Sequence, residues 1–108
     1  MYNAALEAVR RKLDRYKKVH SSLRGFVLDF PHDFEEKARR NFYKQINGMV
    51  SSFGTAIRLP SGRVLILLPG QYDCALVAHR LCGNLEAAVM LFFESGNADI
   101  VADLIRDC

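Results

Sequence analysis

The sequence has no tryptophan, only three prolines and no apolar run of membrane-spanning length. A membrane-spanning helix needs about 18 or more consecutive apolar residues, whereas the longest uninterrupted run here covers only residues 87–93. The N-terminal residues also lack the basic start and apolar core of a signal peptide. We therefore expect a cytoplasmic protein that does not bind a membrane.

Cysteine is also scarce, and the three residues are Cys74, Cys82 and Cys108. An odd number without any Cys-x-x-Cys pair argues against a disulfide framework and against a structural zinc site. Cys74 and Cys82 fall on a predicted helix, where a buried thiol is the ordinary interpretation. We expect neither a metal nor another cofactor.

The chain does have the composition of a globular domain. Of its 108 residues, 50% are hydrophobic and 25% are charged, which suits a single core. The net charge of +3 comes mostly from residues 1–24, whose basic side chains far outnumber Glu7 and Asp14. Such an excess indicates either a solvated helix face or a surface that attracts nucleic acid or acidic partners.

Apolar side chains repeat every seven residues in the same N-terminal segment. The two interleaved series are Tyr2, Val9, Tyr16 and Leu23, and Leu6, Leu13 and His20. This spacing predicts a heptad helix over residues 1–24, ended by Gly25. Its narrow stripe suits either a second helix or the chain's own domain. We predict that it carries self-association, through Leu6, Val9, Leu13 and Tyr16.

Residues 25–108 show an alternation of strand and helix patterns. Strands are predicted at 26–30, 55–59, 63–68 and 87–93, and helices at 34–53, from 74 to the Gly83-Asn84 pair, and near the C-terminus. The short turn at 60–62 makes the middle strands an antiparallel hairpin. The order after the first helix predicts an α+β domain with a ferredoxin-like β-α-β-β-α-β antiparallel sheet.

Right-handed crossovers would place the two connecting helices on one face of this sheet. The apolar strands predict cover on the other face too, from the N-terminal helix, the C-terminal helix or a partner subunit. Three helix starts have capping signals: Asp33 with Glu36, Asp73, and either Ser95 or Asn97. The C-terminal helix is expected to turn four side chains inward: Ile100, Val101, Leu104 and Ile105.

The hairpin resembles the signature of the diguanylate cyclase (GGDEF) family. That family reads Arg-Leu, then Gly-Gly-Asp/Glu-Glu-Phe, then an apolar run ending in Leu-Pro. Residues 58–69 read Arg-Leu, then Pro-Ser-Gly-Arg-Val, then an apolar run ending in Leu-Pro. The strand at 27–30 is similar to the family's first strand, whose Asp binds metal and corresponds to Asp29. The helix at 75–81 is similar to the Ala-rich helix that follows the hairpin.

The key residues of that family are missing. Residues 60–64 lack the paired glycines and both acidic residues, and Arg63 stands where the family has a metal ligand. The segment between the first strand and the hairpin is also shorter than in the family. The resemblance therefore implies a degenerate, shortened cyclase-like domain without diguanylate cyclase activity.

Other groupings of reactive side chains are weaker. Asp29, His32 and Asp33 lie around Pro31 and could form a metal or acid–base cluster, but a strand end, a surface histidine and a helix cap explain them one by one. His79 and Cys82 could touch on one helix, yet no third group orients them as catalysis requires. We predict no catalytic, cofactor-binding or metal-binding residue.

These observations predict a non-catalytic regulatory or assembly module that forms a dimer or binds a protein partner. The alternative is a nucleotide- or nucleic-acid-binding module that uses the basic N-terminal helix and the hairpin. A third possibility is an enzyme whose site forms only with a partner. Because the strand at 63–67 lacks the aromatic residues of RNA-binding sheets, nucleic acid is not the expected partner.

Overall fold

The computed structural model describes residues 4–30 and 35–108, which contain four helices and four strands. In chain order they are α1 (Ala4–His20), β1 (Leu23–Asp29), α2 (Glu36–Val50), β2 (Thr55–Arg58), β3 (Val64–Leu67), α3 (Cys74–Leu85), β4 (Ala88–Ser95) and α4 (Ala98–Ile105). The strands form one antiparallel sheet in the order β2-β3-β1-β4. This confirms the predicted α+β ferredoxin-like arrangement.

Helices cover both faces of the sheet. Successive side chains of the central strands point to opposite faces, and apolar side chains are present on both. Phe26 and Leu28 of β1 pack with α2 and α3, whereas Leu23 and Val27 pack with α1 and α4. Every residue of β3 is buried. The two connecting helices share one face as predicted, and both terminal helices supply the cover expected on the other.

The first helix ends earlier than the sequence suggests. It stops at His20, and Ser21 has a left-handed φ of 65°. Gly25, predicted to end the helix, lies inside β1 instead. A Cβ added there would lie 1.8 Å from the carbonyl oxygen of Ile66. The glycine therefore serves a close approach between β1 and β3 rather than a helix end.

The second helix is shorter than the range 34–53 predicted from its apolar pattern. It begins at Glu36 with Glu35 in the N-cap position and without a side-chain cap; Asp33, the predicted cap, lies outside the described residues. The helix ends at Val50, whose carbonyl accepts hydrogen bonds from the N–H groups of Phe53 and Gly54. Phe53, predicted on the helix, follows it and packs its ring 4.9 Å from that of Tyr72.

Two of the predicted capping signals are confirmed. Asp73 is the N-cap of α3, and its Oδ1 accepts a hydrogen bond from the N–H of Leu76 at 3.2 Å. Asn97, rather than Ser95, is the N-cap of α4, and its Oδ1 accepts from the N–H groups of Asp99 and Ile100. Both helices start where these short polar side chains stand.

The orientation of α4 corrects one prediction. Val101 and Ile105 are buried, but Ile100 and Leu104 are 52% and 49% exposed. The buried side of the helix is rotated toward Ala98 and Ala102, which pack against the cluster shared with α1. These small side chains let the two helices approach, so the larger pair turns away from the core.

Candidate functional site

The end of the hairpin brings together the two positions that the cyclase resemblance singles out. Asp29 is the last residue of β1 and Arg63 immediately precedes β3, and the pairing of Leu28 with Val64 places them side by side. The Nε of Arg63 donates to Asp29 Oδ1 at 3.1 Å. Both side chains are only about a quarter exposed, at 27% for Arg63 and 26% for Asp29.

Cys108 also contacts the arginine of this ion pair. The Nη1 of Arg63 donates to the carbonyl oxygen of Cys108 at 3.3 Å. Burial raises the pKa of the Cys108 thiol above its ordinary value of 9.0, although the nearby Arg63 lowers it. The thiol is therefore protonated near neutral pH and is a poor nucleophile. An open groove of about 360 Å³ lies alongside, between the hairpin turn and the end of the chain.

The turn of the hairpin is attached to α2. Gly62 has a φ of +94°, and a Cβ there would meet the Cδ of Arg39 at 2.8 Å. The Nη1 of Arg39 donates to the carbonyl of Ser61 at 3.2 Å, and its guanidinium lies 4.5 Å from the centre of the Phe30 ring. The chain's own side chain thus occupies the approach to the turn. Nothing in the sequence distinguishes Arg39 from the other basic residues of α2.

The other groupings of reactive side chains do not form a site within the described parts of the chain. Among residues 4–30 and 35–108, no group of three or more His, Cys, Asp and Glu side chains is placed to hold a metal ion. His32 and Asp33 lie outside that range. Burial raises the pKa of the Cys82 thiol, and His79 is exposed on the same helix.

The heptad stripe of α1 packs against the chain's own sheet. Val9, Leu13 and Tyr16 are 5%, 0% and 9% exposed and belong to the cluster that joins α1, α4 and the sheet. Leu6 is partly buried. Self-association through these residues stays a prediction. A partner could reach the three buried side chains only if α1 left the sheet.

A basic groove of about 400 Å³ runs between α1 and the outer strand β2. Lys12, Arg15 and His20 line it, and no acidic side chain does. The rings of Tyr16 and His20 stack with their centres 4.1 Å apart. Burial raises the pKa of Tyr16 above its ordinary value of 10.0, and its buried hydroxyl has no hydrogen-bond partner within the described parts. The surface of the groove is therefore positively charged over a partly apolar floor.

Exposed apolar side chains also occur on β4 and α4, a feature that the sequence did not reveal. Phe92 contacts Phe26 on the face of the sheet that α2 and α3 cover, whereas α4 lies on the other face. Met90 and Phe92 are 43% and 53% exposed on β4, and Ile100 and Leu104 are about half exposed on α4. We call these four residues the β4 patch. Apolar surface of this kind often marks an interaction site.

Comparison with known proteins adds no relative to this picture. No family model matches the chain, and searches of curated proteins and of solved structures find no match either. Among the described residues, no helix combines the length and the apolar character that crossing a membrane would need.

Proposed function

We propose that this chain is a non-catalytic regulatory or assembly module of the cytoplasm, built on a degenerate GGDEF-like core, and that it acts by associating with itself. The observation that carries the non-catalytic part is the ion pair between Asp29 and Arg63. It joins the one carboxylate that matches a metal ligand of the resembled family to a fixed positive charge at the position of another.

Phosphoryl transfer depends on metal ions that carboxylates hold against the phosphates. The guanidinium of Arg63 is positively charged. A divalent cation at Asp29 would have to displace this charge-assisted hydrogen bond. It would also lack the second carboxylate, since position 63 supplies a cation instead. The arrangement therefore favours a structural role for the pair.

The test is an assay of product formation from guanosine triphosphate with magnesium or manganese. We expect no product above the background given by Asp29→Ala. Product formed by the wild type at a rate that Asp29→Ala abolishes would contradict the proposal. Arg63→Gln serves as the matched control, because it removes the positive charge without supplying a carboxylate.

The β4 patch supports the assembly part of the proposal. Single apolar side chains are common on protein surfaces, but several half-exposed ones along one strand and the helix beside it are characteristic of interfaces. Four grooves lined by residues of the described ranges 4–30 and 35–108 open widely to solvent. A protein surface is a better fit to this molecule than a small substrate.

The basic groove favours one second candidate, the binding of nucleic acid. Lys12 and Arg15 would contact phosphates there, and affinity would fall steeply as salt is raised. Fluorescence anisotropy with a labelled single-stranded oligonucleotide at two salt concentrations tests this. Binding that is lost in Lys12→Glu/Arg15→Glu, but kept in the distant Arg80→Glu, would support the candidate. Absence of binding at low salt would reject it.

A further inference from the structure

Strand β4 has an open outer edge. It is the last strand of the sheet and pairs only with β1 among the described elements. The N–H of Leu68 donates to the carbonyl of Arg24, so the backbone of Arg24 points toward β3. Because successive residues of a strand point to opposite sides, Gly25 and its partner Phe93 bond to each other. The backbone groups of Phe92 and Glu94 therefore point outward from the sheet.

This edge has few of the features that normally prevent strands from pairing between molecules. Natural edges carry charges or proline, or are very short. Strand β4 is eight residues long, contains no proline and has one charged residue, Glu94. A register shift opposite Val27 and Leu28 makes Met90 an extra residue of β4. The bulge leaves the register regular from Leu91 to Ser95.

Helix α4 adds apolar surface beside the edge, on the face of the sheet opposite to Phe92. It packs against α1 and β4, and Asp99 forms an ion pair with Arg10 of α1. With 3.6 residues per turn, Ile100 and Leu104 lie on the flank of α4 opposite to the one that approaches α1. That flank is on the outer side of β4. The strand edge and the helix flank thus face solvent in the same direction.

We propose that the β4 edge binds the β4 edge of a second copy of this chain in antiparallel fashion, joining two four-stranded sheets into one. This inference rests on the self-association proposed above and names its surface. A two-fold axis at Phe92 pairs its outward backbone groups with those of Phe92 in the second copy. Cross-strand aromatic pairs of this kind stabilise sheets.

The charges fit this register. Glu94 falls opposite Met90 of the second copy, so the two Glu94 side chains lie roughly 13 Å apart along the strand direction. This exceeds the screening length of about 8 Å at physiological salt. Arg24 lies opposite Glu94 across β1 and β4 of one chain, and its guanidinium donates to the carbonyl oxygens of Pro69 and Tyr72. Registers centred on Glu94 would instead place the two carboxylates together.

The same axis brings the two α4 flanks toward each other, and this favours a second copy over an unrelated peptide strand. A peptide would pair with the edge but would not supply a matching apolar helix. With about 200 Å² per large side chain, the half-exposed β4 patch offers roughly 400 Å² per copy. Together with the strand backbones, this approaches the total of about 1,000 Å² required for a specific interface. We expect a dimer with a dissociation constant on the order of 10 µM.

The test is sedimentation velocity of the full chain across concentrations up to about 100 µM, for the wild type and three variants. Phe92→Lys changes the centre of the proposed interface, and Leu104→Glu changes its helix flank. Leu76→Glu is the matched control, since Leu76 is 50% exposed on α3 outside the proposed interface. Circular dichroism is used to check that each variant is folded. Because Phe92 also contacts Phe26, Leu104→Glu decides the matter should Phe92→Lys unfold.

The expected result is a wild-type dimer that Leu104→Glu weakens at least tenfold while Leu76→Glu leaves it unchanged. A wild-type dimer that Leu104→Glu does not weaken would overturn the β4 interface and leave self-association standing. A wild type that stays monomeric at about 100 µM would overturn both the interface and the assembly function. The two failures are thereby distinguished.

Discussion

The two edges of the sheet differ in how the chain covers them. On β2, the Tyr43 hydroxyl of α2 donates to the carbonyl of Ala56 at 3.4 Å, and Arg58 pairs with Glu36 at 2.6 Å. Strand β2 is four residues long, and basic side chains of α1 flank it. Strand β4 is twice as long, apolar up to Phe93, and half exposed at Met90 and Phe92. One sheet thus has a protected edge and an open one, and side chains rather than topology make the difference.

The largest loss of stability is expected from Gly25→Ala. This substitution would disrupt β1, the central strand that pairs with both β3 and β4. The added Cβ would lie 1.8 Å from the Ile66 carbonyl oxygen, a backbone atom that cannot move aside alone. We expect a loss of more than about 4 kcal/mol in the free energy of unfolding, or no folded protein. Urea denaturation measures it.

Gly83→Ala is the matched control for that experiment. Gly83 lies in α3, and no atom lies within 4 Å of an added Cβ. Alanine should stabilise the helix by up to about 1 kcal/mol. Equal effects of the two substitutions would show that β1 and β3 do not approach closely at Gly25.

Leu13→Ala sharpens the comparison on the side of α1, the helix next to the protected edge. Leu13 is fully buried against the sheet, so its truncation should cost about 2–5 kcal/mol. The exposed Leu76→Ala should change stability by about 0.5 kcal/mol or less. Thermal or urea unfolding compares them. If Leu13→Ala instead abolished dimerisation without loss of stability, α1 would be the partner-binding helix.

Asn97→Ala tests the helix that flanks the open edge. Its side chain accepts from two N–H groups at the start of α4, and loss of an N-cap costs about 0.5–2 kcal/mol. We expect that loss in urea unfolding. Asn97→Ser, which keeps a capping oxygen, should recover most of it. A serine variant no more stable than the alanine variant would indicate that α4 does not depend on this cap.

The smallest change in stability is expected at Glu36 of α2, which forms an ion pair with Arg58 of β2, the protected edge. The hydrogen bond from Arg58 lowers the pKa of this exposed carboxyl below its ordinary value of 4.5, against a smaller raising effect of desolvation. A lowered folded-state pKa contributes stability above pH 4.5, and that contribution is lost as the pH falls through the lowered pKa. Glu36→Gln should therefore be slightly less stable than the wild type at pH 7.

The wild type and Glu36→Gln should have equal stability once the pH is below the lowered pKa of Glu36. Urea midpoints at pH 7 and pH 3 measure the difference, with Glu86→Gln, at the C-cap of α3, as a control for another exposed carboxyl. A Glu36→Gln difference that is the same at both pH values would indicate that the pair with Arg58 contributes nothing.

The sequence predicted the order of the elements because its signals were local. Asp73 and Asn97 are short polar side chains immediately before apolar helical patterns, and such caps act within one turn. The hairpin followed from a turn too short for any other connection. These features depend on neighbours in the chain, so one sequence contains them in full.

The sequence failed where the outcome depends on distant contacts. The stripe of α1 is compatible with a helix or a sheet, and only the assembled core shows that the sheet receives it. The sequence predicted that Ile100 and Leu104 point inward. They point outward because Ala98 and Ala102 pack against the cluster that α4 shares with α1. The Arg63–Asp29 pair joins residues that are 34 positions apart, and the cyclase resemblance drew attention to both without predicting their bond.

Amide hydrogen exchange at increasing protein concentration tests the contrast between the edges most directly. Strand alternation directs the N–H groups of Ala56 and Arg58 away from β3 and those of Phe92 and Glu94 away from β1. The account predicts that protection of Phe92 and Glu94 rises with concentration, while that of Ala56 and Arg58 does not change. Protection that rises at Ala56 and Arg58, with Phe92 and Glu94 unchanged, would contradict it.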